Sequence, residues 1–144
     1  MFIVYFDASA LVKLLVEEPG SELASALWDG CIISTASRLA FPEVCTALAA
    51  LGRSGAITDQ GLATANALWS EYWPSVRAVE LTPAVEQQAG ELARLHGLRS
   101  ADAVHLSSAL ALGDPSVVVA VWDEALHAAA RSAGLAVAPA TLGA

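Results

Sequence analysis

A chain of 144 residues, 56% hydrophobic and only 15% charged with a mean hydropathy of +0.54, suits one domain spanning 1–144 with a large core or a partner-covered interface. No apolar run approaches the roughly 18 residues of a spanning helix and no basic region precedes the first apolar segment, which argues against a membrane or secreted protein and makes the cytoplasm the expected location. The net charge of −8 disfavours broad electrostatic binding of nucleic acid, but acids that capture divalent cations attract phosphate once loaded, so the same acidity predicts weak bulk affinity for RNA and a strong need for metal.

Short β-branched runs alternate with longer helical stretches along the chain. Phe2–Phe6 is a strand candidate that stops at Asp7, and Ser9 is placed to cap a short helix reaching about Val16. Pro19-Gly20 breaks the chain before a second helix, roughly Ser21–Trp28, and Cys31–Ser34 reads as a second strand. A helical pattern then runs from about Ser37 to Arg53, with Pro42 inside it as a kink or a restart. Thr58 caps a helix lasting to Trp73-Pro74, Val76–Leu81 is a third strand, and Thr82-Pro83 opens a helix that Gly97 stops. Ser100 precedes a helix ending near Leu112-Gly113. Val117–Trp122 is a strand ending at Asp123, an Ala-rich helix follows to Arg131, and Leu135–Ala138 is the last strand. Strands separated by helices of this length imply an α/β protein with a mostly parallel sheet and helices on both faces. Cys31, opening a buried strand, and Cys45, on a helix, have neither the spacing nor the His partners of a zinc site and read as reduced apolar fillers.

Four acids stand out. Asp7 and Asp123 follow strands, and ligands of open α/β sheets bind beyond the carboxyl ends of strands; for a single Asp, a loop residue or helix cap is the plainer explanation, which weakens when two coincide. Glu43 lies at helical spacing with Leu39, Ala47, Ala50 and Leu51, and Asp102 with Leu106, Ala109 and Leu110, so both acids fall on apolar faces where carboxylates are rare unless paired or bound to metal. Asp102 also lies in a first turn, where it could serve the helix dipole. Oxygen donors without a Cys/His set favour Mg²⁺ or Mn²⁺, and the reaction natural to such a site is phosphodiester hydrolysis.

The run Tyr5-Phe6-Asp7-Ala8-Ser9-Ala10-Leu11 resembles the opening motif of PIN-domain ribonucleases. Ser37-Arg38-Leu39-Ala40-Phe41-Pro42-Glu43-Val44 resembles their second acidic motif, Arg99 to Leu106 the third, and Trp122-Asp123-Glu124-Ala125-Leu126 the fourth. In register over nearly the whole chain, the four motifs resemble most the VapC-type toxins of bacterial toxin–antitoxin pairs. The resemblance implies a three-layer α/β/α sandwich, a homodimer, Mg²⁺ or Mn²⁺ dependence, endonucleolytic cleavage of RNA, and a VapB-type antitoxin that covers an apolar groove and obstructs the site. It carries Asp7, Glu43, Asp102 and Asp123 over as catalytic and metal-site residues, with Ser9 as a supporting hydroxyl. Val121 departs from the pattern, since many relatives place Ser or Thr two residues before the fourth acid.

Lys13, Arg38 and Arg99 lie within six residues of three of the acids, placed to touch phosphate or pair with unloaded carboxylates; ordinary surface charge is the even alternative. His105 reads as a core or supporting imidazole more readily than a ligand, His96 and His127 as helix-end residues, and the four tryptophans as core or interface anchors. Two other functions compete. A receiver-like aspartyl-phosphate module would want a second acid where Ser9 stands and a lysine late in the chain, whereas Lys13 is the only lysine. A catalytically silent PIN-like module docking RNA or protein would not need all four acids.

Overall fold

The computed structural model describes residues 2–143; Met1 and Ala144, which the one-domain expectation includes, lie outside the described residues. Five strands form one sheet: β1 Ile3–Phe6, β2 Ile33–Ser37, β3 Arg77–Val79, β4 Val117–Ala120 and β5 Ala136–Ala138. The order is β3-β2-β1-β4-β5, and every adjacent pair is parallel. The direction of strand succession reverses at β1, so the crevice between β1 and β4 at their carboxyl ends is the topological switch point. Phe6 lies opposite Ala120, and Asp7 N donates to Ala120 O at 3.0 Å, which fixes where the first acid leaves the sheet.

Alternation along the strands sorts the helices into two layers. Val4, Phe6, Ala36 and Ala120 face a core built with α1 Ala8–Leu15, α2 Ser21–Gly30, α3 Ala40–Arg53 and α4 Asp59–Tyr72. Tyr5, Val117, Val119 and Val121 face the opposite core, against α5 Pro83–His96, α6 Ser100–Ala111 and α7 Glu124–Ser132. The result is the expected three-layer α/β/α sandwich. Among the described residues no helix is long and apolar enough to cross a membrane.

Several boundaries differ from the sequence reading, each for a physical reason. Cys31 does not open a strand. It caps the C-terminus of α2, its thiol 3.4 Å from Trp28 O, and the second strand is shifted onto Ile33–Ser37. That strand is polar and central, which is tolerated because Thr35 donates to Val4 O and Ser37 Oγ accepts from Leu39 N. Pro42 neither kinks nor restarts a helix: α3 begins at Ala40, which puts Pro42 in the first turn, where its missing N–H has no partner to lose. Ser9 is not a cap either, because Asp7 holds the N-cap position of α1. Thr58 and Thr82 do cap α4 and α5, accepting from Gly61 N and Val85 N, and Gly97 ends α5 in the left-handed conformation. His96 closes α5, but His127 is buried inside α7 and bonds Pro139 O.

Candidate active site

Asp7 leaves the end of β1 and is only 6% exposed. Although it stands at the N-cap position of α1, its side chain makes no capping bond. Ser9, two residues on, donates to Asp7 Oδ2 at 2.8 Å and also accepts from Trp122 N at 3.2 Å. One hydroxyl therefore ties the first acidic segment to the fourth. Val121 is fully buried in the α5–α7 core, so the position that carries Ser or Thr in many relatives contributes packing, and Ser9 meets the neighbouring backbone N–H instead.

Asp123 is the N-cap of α7, its Oδ2 accepting from Leu126 N at 3.0 Å. The capping role weighed for a lone Asp is real here, and it occupies one carboxylate oxygen only. Asp102 sits in the first turn of α6, its side chain 14% exposed, with Arg99 Nε at 3.8 Å. Its carboxyl is held above the ordinary carboxylate range, first by burial and then by the negative charges of Asp123 and Asp7, which Arg99 offsets in part. Asp102 thus feels acids from the first and fourth segments at once.

Glu43 lies beside the buried stripe of α3, which is Ala40, Val44 and Leu48, and not inside it as spacing suggested; with the helix starting at Ala40 its side chain is 28% exposed. Its partner is His105. Nε2 of this imidazole is 2.5 Å from Glu43 Oε1 and 3.5 Å from Asp7 Oδ1, while Nδ1 is 2.7 Å from the Tyr5 hydroxyl. Burial pushes the His105 pKa down, but the Glu43 hydrogen bond and the charges of Asp7, Glu43 and Asp102 outweigh it and leave the ring above its usual value. The Tyr5 phenol is pushed well up, first by complete burial and then by the charge of Asp7.

The basic residues divide. Arg38 is engaged by Glu80 in an exposed ion pair and lies near the Trp73 ring. Lys13 pairs with Glu18 at 3.0 Å and sits over the Trp122 ring. Arg99, 85% exposed, is the most open of the three. Trp69 is core, stacked with Phe41 and tilted on Trp73, and Trp28 packs on Phe6 and Tyr72.

Among the described residues, no three acid, histidine or cysteine side chains are already drawn together closely enough to hold an ion. The donor chemistry nonetheless fits a hard cation: carboxylates from separate segments repel one another at Asp102, and the nearest guanidinium is an exposed one at 3.8 Å. Tyr5 is the participant that sequence reasoning missed. Its signal was a hydroxyl inside an otherwise apolar buried strand, which must find a partner.

Residues 4–132 match the family model described as PIN domain. The chain is 61% identical to Ribonuclease VapC45 of Mycobacterium tuberculosis (strain CDC 1551 / Oshkosh) over 142 residues, covering 99% of each chain, and equally to Ribonuclease VapC49 of strain H37Rv. Among solved structures, Mycobacterium tuberculosis VapC20, described as a sarcin-ricin loop cleaving toxin, superposes with a TM-score of 0.66 at 18% identity, over 97% of this chain and 99% of that one.

Proposed function

The chain belongs to the PIN-domain family, in its VapC-type group, and from that membership we propose that it is a metal-dependent endoribonuclease, the toxin of a type II toxin–antitoxin pair, acting on RNA in the cytoplasm through Asp7, Glu43, Asp102 and Asp123. The observation that carries this reading is that Asp7 and Glu43 meet at one imidazole, 3.5 and 2.5 Å from His105 Nε2, on the helix that carries Asp102, whose carboxyl is raised by burial and by Asp123 and Asp7. Structural ion pairs lower carboxylate pKa values, whereas here Arg99 and His105 only partly offset the neighbouring acids, which favours a bound cation.

Mg²⁺ or Mn²⁺ would be held by these four carboxylates. Bound there, the cation supplies Lewis-acid neutralisation of the charge that develops on the phosphate. The protein's own contribution is orientation. Ser9 fixes Asp7 through Oδ2, and Leu126 N fixes Asp123 through Oδ2, which leaves Oδ1 of Asp123 for the cation and Oδ1 of Asp7 to be shared between the cation and His105 Nε2, 3.5 Å away. Arg99 is the best-placed cation for an incoming phosphate, since Arg38 and Lys13 must first give up Glu80 and Glu18.

A VapB-type antitoxin is the proposed partner. An apolar hollow of about 500 Å³ between α1 and α3, lined by Val12, Ala47, Ala50 and Leu51, begins at Ser9 and offers a seat from which a bound segment would obstruct the acids. A homodimer belongs to the same proposal, and exposed Phe41, Leu81 and Leu95 provide apolar surface for it.

The test is RNA cleavage by the purified protein with Mn²⁺ or Mg²⁺. Asp7→Asn and Asp102→Asn should each lower the rate by more than about 100-fold with the fold intact by circular dichroism, and a chelator should do the same. Cleavage at the wild-type rate in both variants would remove the assignment.

A further inference from the structure

Tyr5 is fully buried in the middle of β1, and its hydroxyl accepts from Ser37 N at 3.1 Å and stands 2.7 Å from His105 Nδ1. His105, 1% exposed, sits on α6 three residues after Asp102, and its Nε2 meets Glu43 Oε1 at 2.5 Å on the far side of the crevice. Donor accounting fixes the direction of the chain. The Ser37 N–H can only donate and the Glu43 carboxylate can only accept, so Nε2 carries a hydrogen. In the neutral ring the Tyr5 hydroxyl donates to Nδ1 and thereby selects this tautomer; in the charged ring it accepts from Nδ1. Either way Nε2–H stays on Glu43.

We propose that Tyr5 and His105 are positioning residues that hold Glu43 by Oε1 and leave Oε2 as the oxygen free to meet the cation or its substrate. Glu43 needs such a hold. It has three side-chain torsions and partial exposure, so without a partner it must surrender rotamer entropy each time it is used. The same imidazole lies 3.5 Å from Asp7 Oδ1, so one buried ring spaces two of the four acids and links the helix of a third. Tyr5 stands two residues before Asp7 on the strand and anchors the ring from below, which fixes this geometry to the centre of the sheet. The inference rests on the assignment of Glu43 to the cation site.

The experiment is a Mn²⁺ titration followed by electron paramagnetic resonance, with RNA cleavage and thermal unfolding measured on the same samples. His105→Leu should weaken Mn²⁺ binding by about 10–100-fold. His105→Gln, which retains an N–H for Glu43 and an oxygen for Tyr5, should recover part of the loss. Tyr5→Phe, nearly isosteric, should weaken binding several-fold and lower kcat more than it changes KM. In a Glu43→Gln background either substitution should add much less loss than in the wild type, because only the 3.5 Å contact of His105 with Asp7 Oδ1 remains to be disturbed. Wild-type Mn²⁺ affinity and kcat in both His105→Leu and Tyr5→Phe would overturn the inference, as would an equal loss with or without Glu43. If His105→Leu fails to fold, Tyr5→Phe decides by the same criteria. If Glu43→Gln binds Mn²⁺ as the wild type does, the site assignment falls and takes the positioning role with it; if Glu43→Gln weakens binding and the other variants do not, the positioning role alone falls.

Discussion

Asp102 gathers several contributions on one side chain: burial, two acidic neighbours and one exposed guanidinium. A carboxyl whose pKa is raised in the folded state ionises at a cost to the fold. The deficit is absent below the unfolded carboxyl pKa, about 3.9, and grows as pH rises through the higher folded value. Asp102→Asn should therefore unfold at a higher temperature than the metal-free wild type at neutral pH, with the gap closing toward pH 3. Added Mn²⁺ should raise the melting temperature of the wild type more than that of the variant. Calorimetry over a pH series with and without Mn²⁺ checks both statements, and a gap of the opposite sign would contradict the electrostatic account. Asp7 and Asp123 could be singled out from the chain because an acid that terminates an apolar strand is conspicuous locally. Tyr5 and His105 were not legible as a pair, since 100 residues separate them and no periodicity records a hydrogen bond across that interval.

Helix limits followed local chemistry wherever that chemistry was self-contained. Thr82-Pro83 and Gly97 delimit α5 by capping alone, and Thr58 starts α4 in the same way. The second strand escaped the same reasoning because its hydroxyls are satisfied by β1 and by the next turn, which hydropathy cannot foresee. Pro42 misled because a proline near the start of a helix and one in its middle look alike until the first turn is located. Gly20, the N-cap of α2, makes a more specific prediction. Its φ is +96°, and a Cβ there would lie 2.8 Å from Trp122 Nε1 and 3.0 Å from Lys13 Cδ. Gly20→Ala should cost about 1–3 kcal/mol in chemical denaturation, from the left-handed backbone and the displaced indole together. Because Trp122 adjoins Asp123, RNA cleavage should decline as well; an unchanged denaturation midpoint would show that the indole yields freely.

At the scale of the whole molecule, the high hydropathy is only partly spent on the two cores. The hollow between α1 and α3 remains apolar and open beside Ser9. Ala50→Glu places a charge in that hollow two helical turns away from Glu43. It should abolish co-purification with a co-expressed VapB-type antitoxin, while RNA cleavage by the free protein stays near wild type. Retained co-purification would direct the search for the antitoxin surface elsewhere.

The central position of β1 has a further consequence for how the protein is born. Asp7 leaves the ribosome well before the strand that completes its crevice, β4, which begins only at Val117, and Ser9 meets Trp122 across 113 positions of chain. A polypeptide not yet extended to Trp122 therefore holds its first acidic segment without its fourth, and on the proposed site assignment a nascent toxin lacks a complete cleavage centre while the ribosome is still making it.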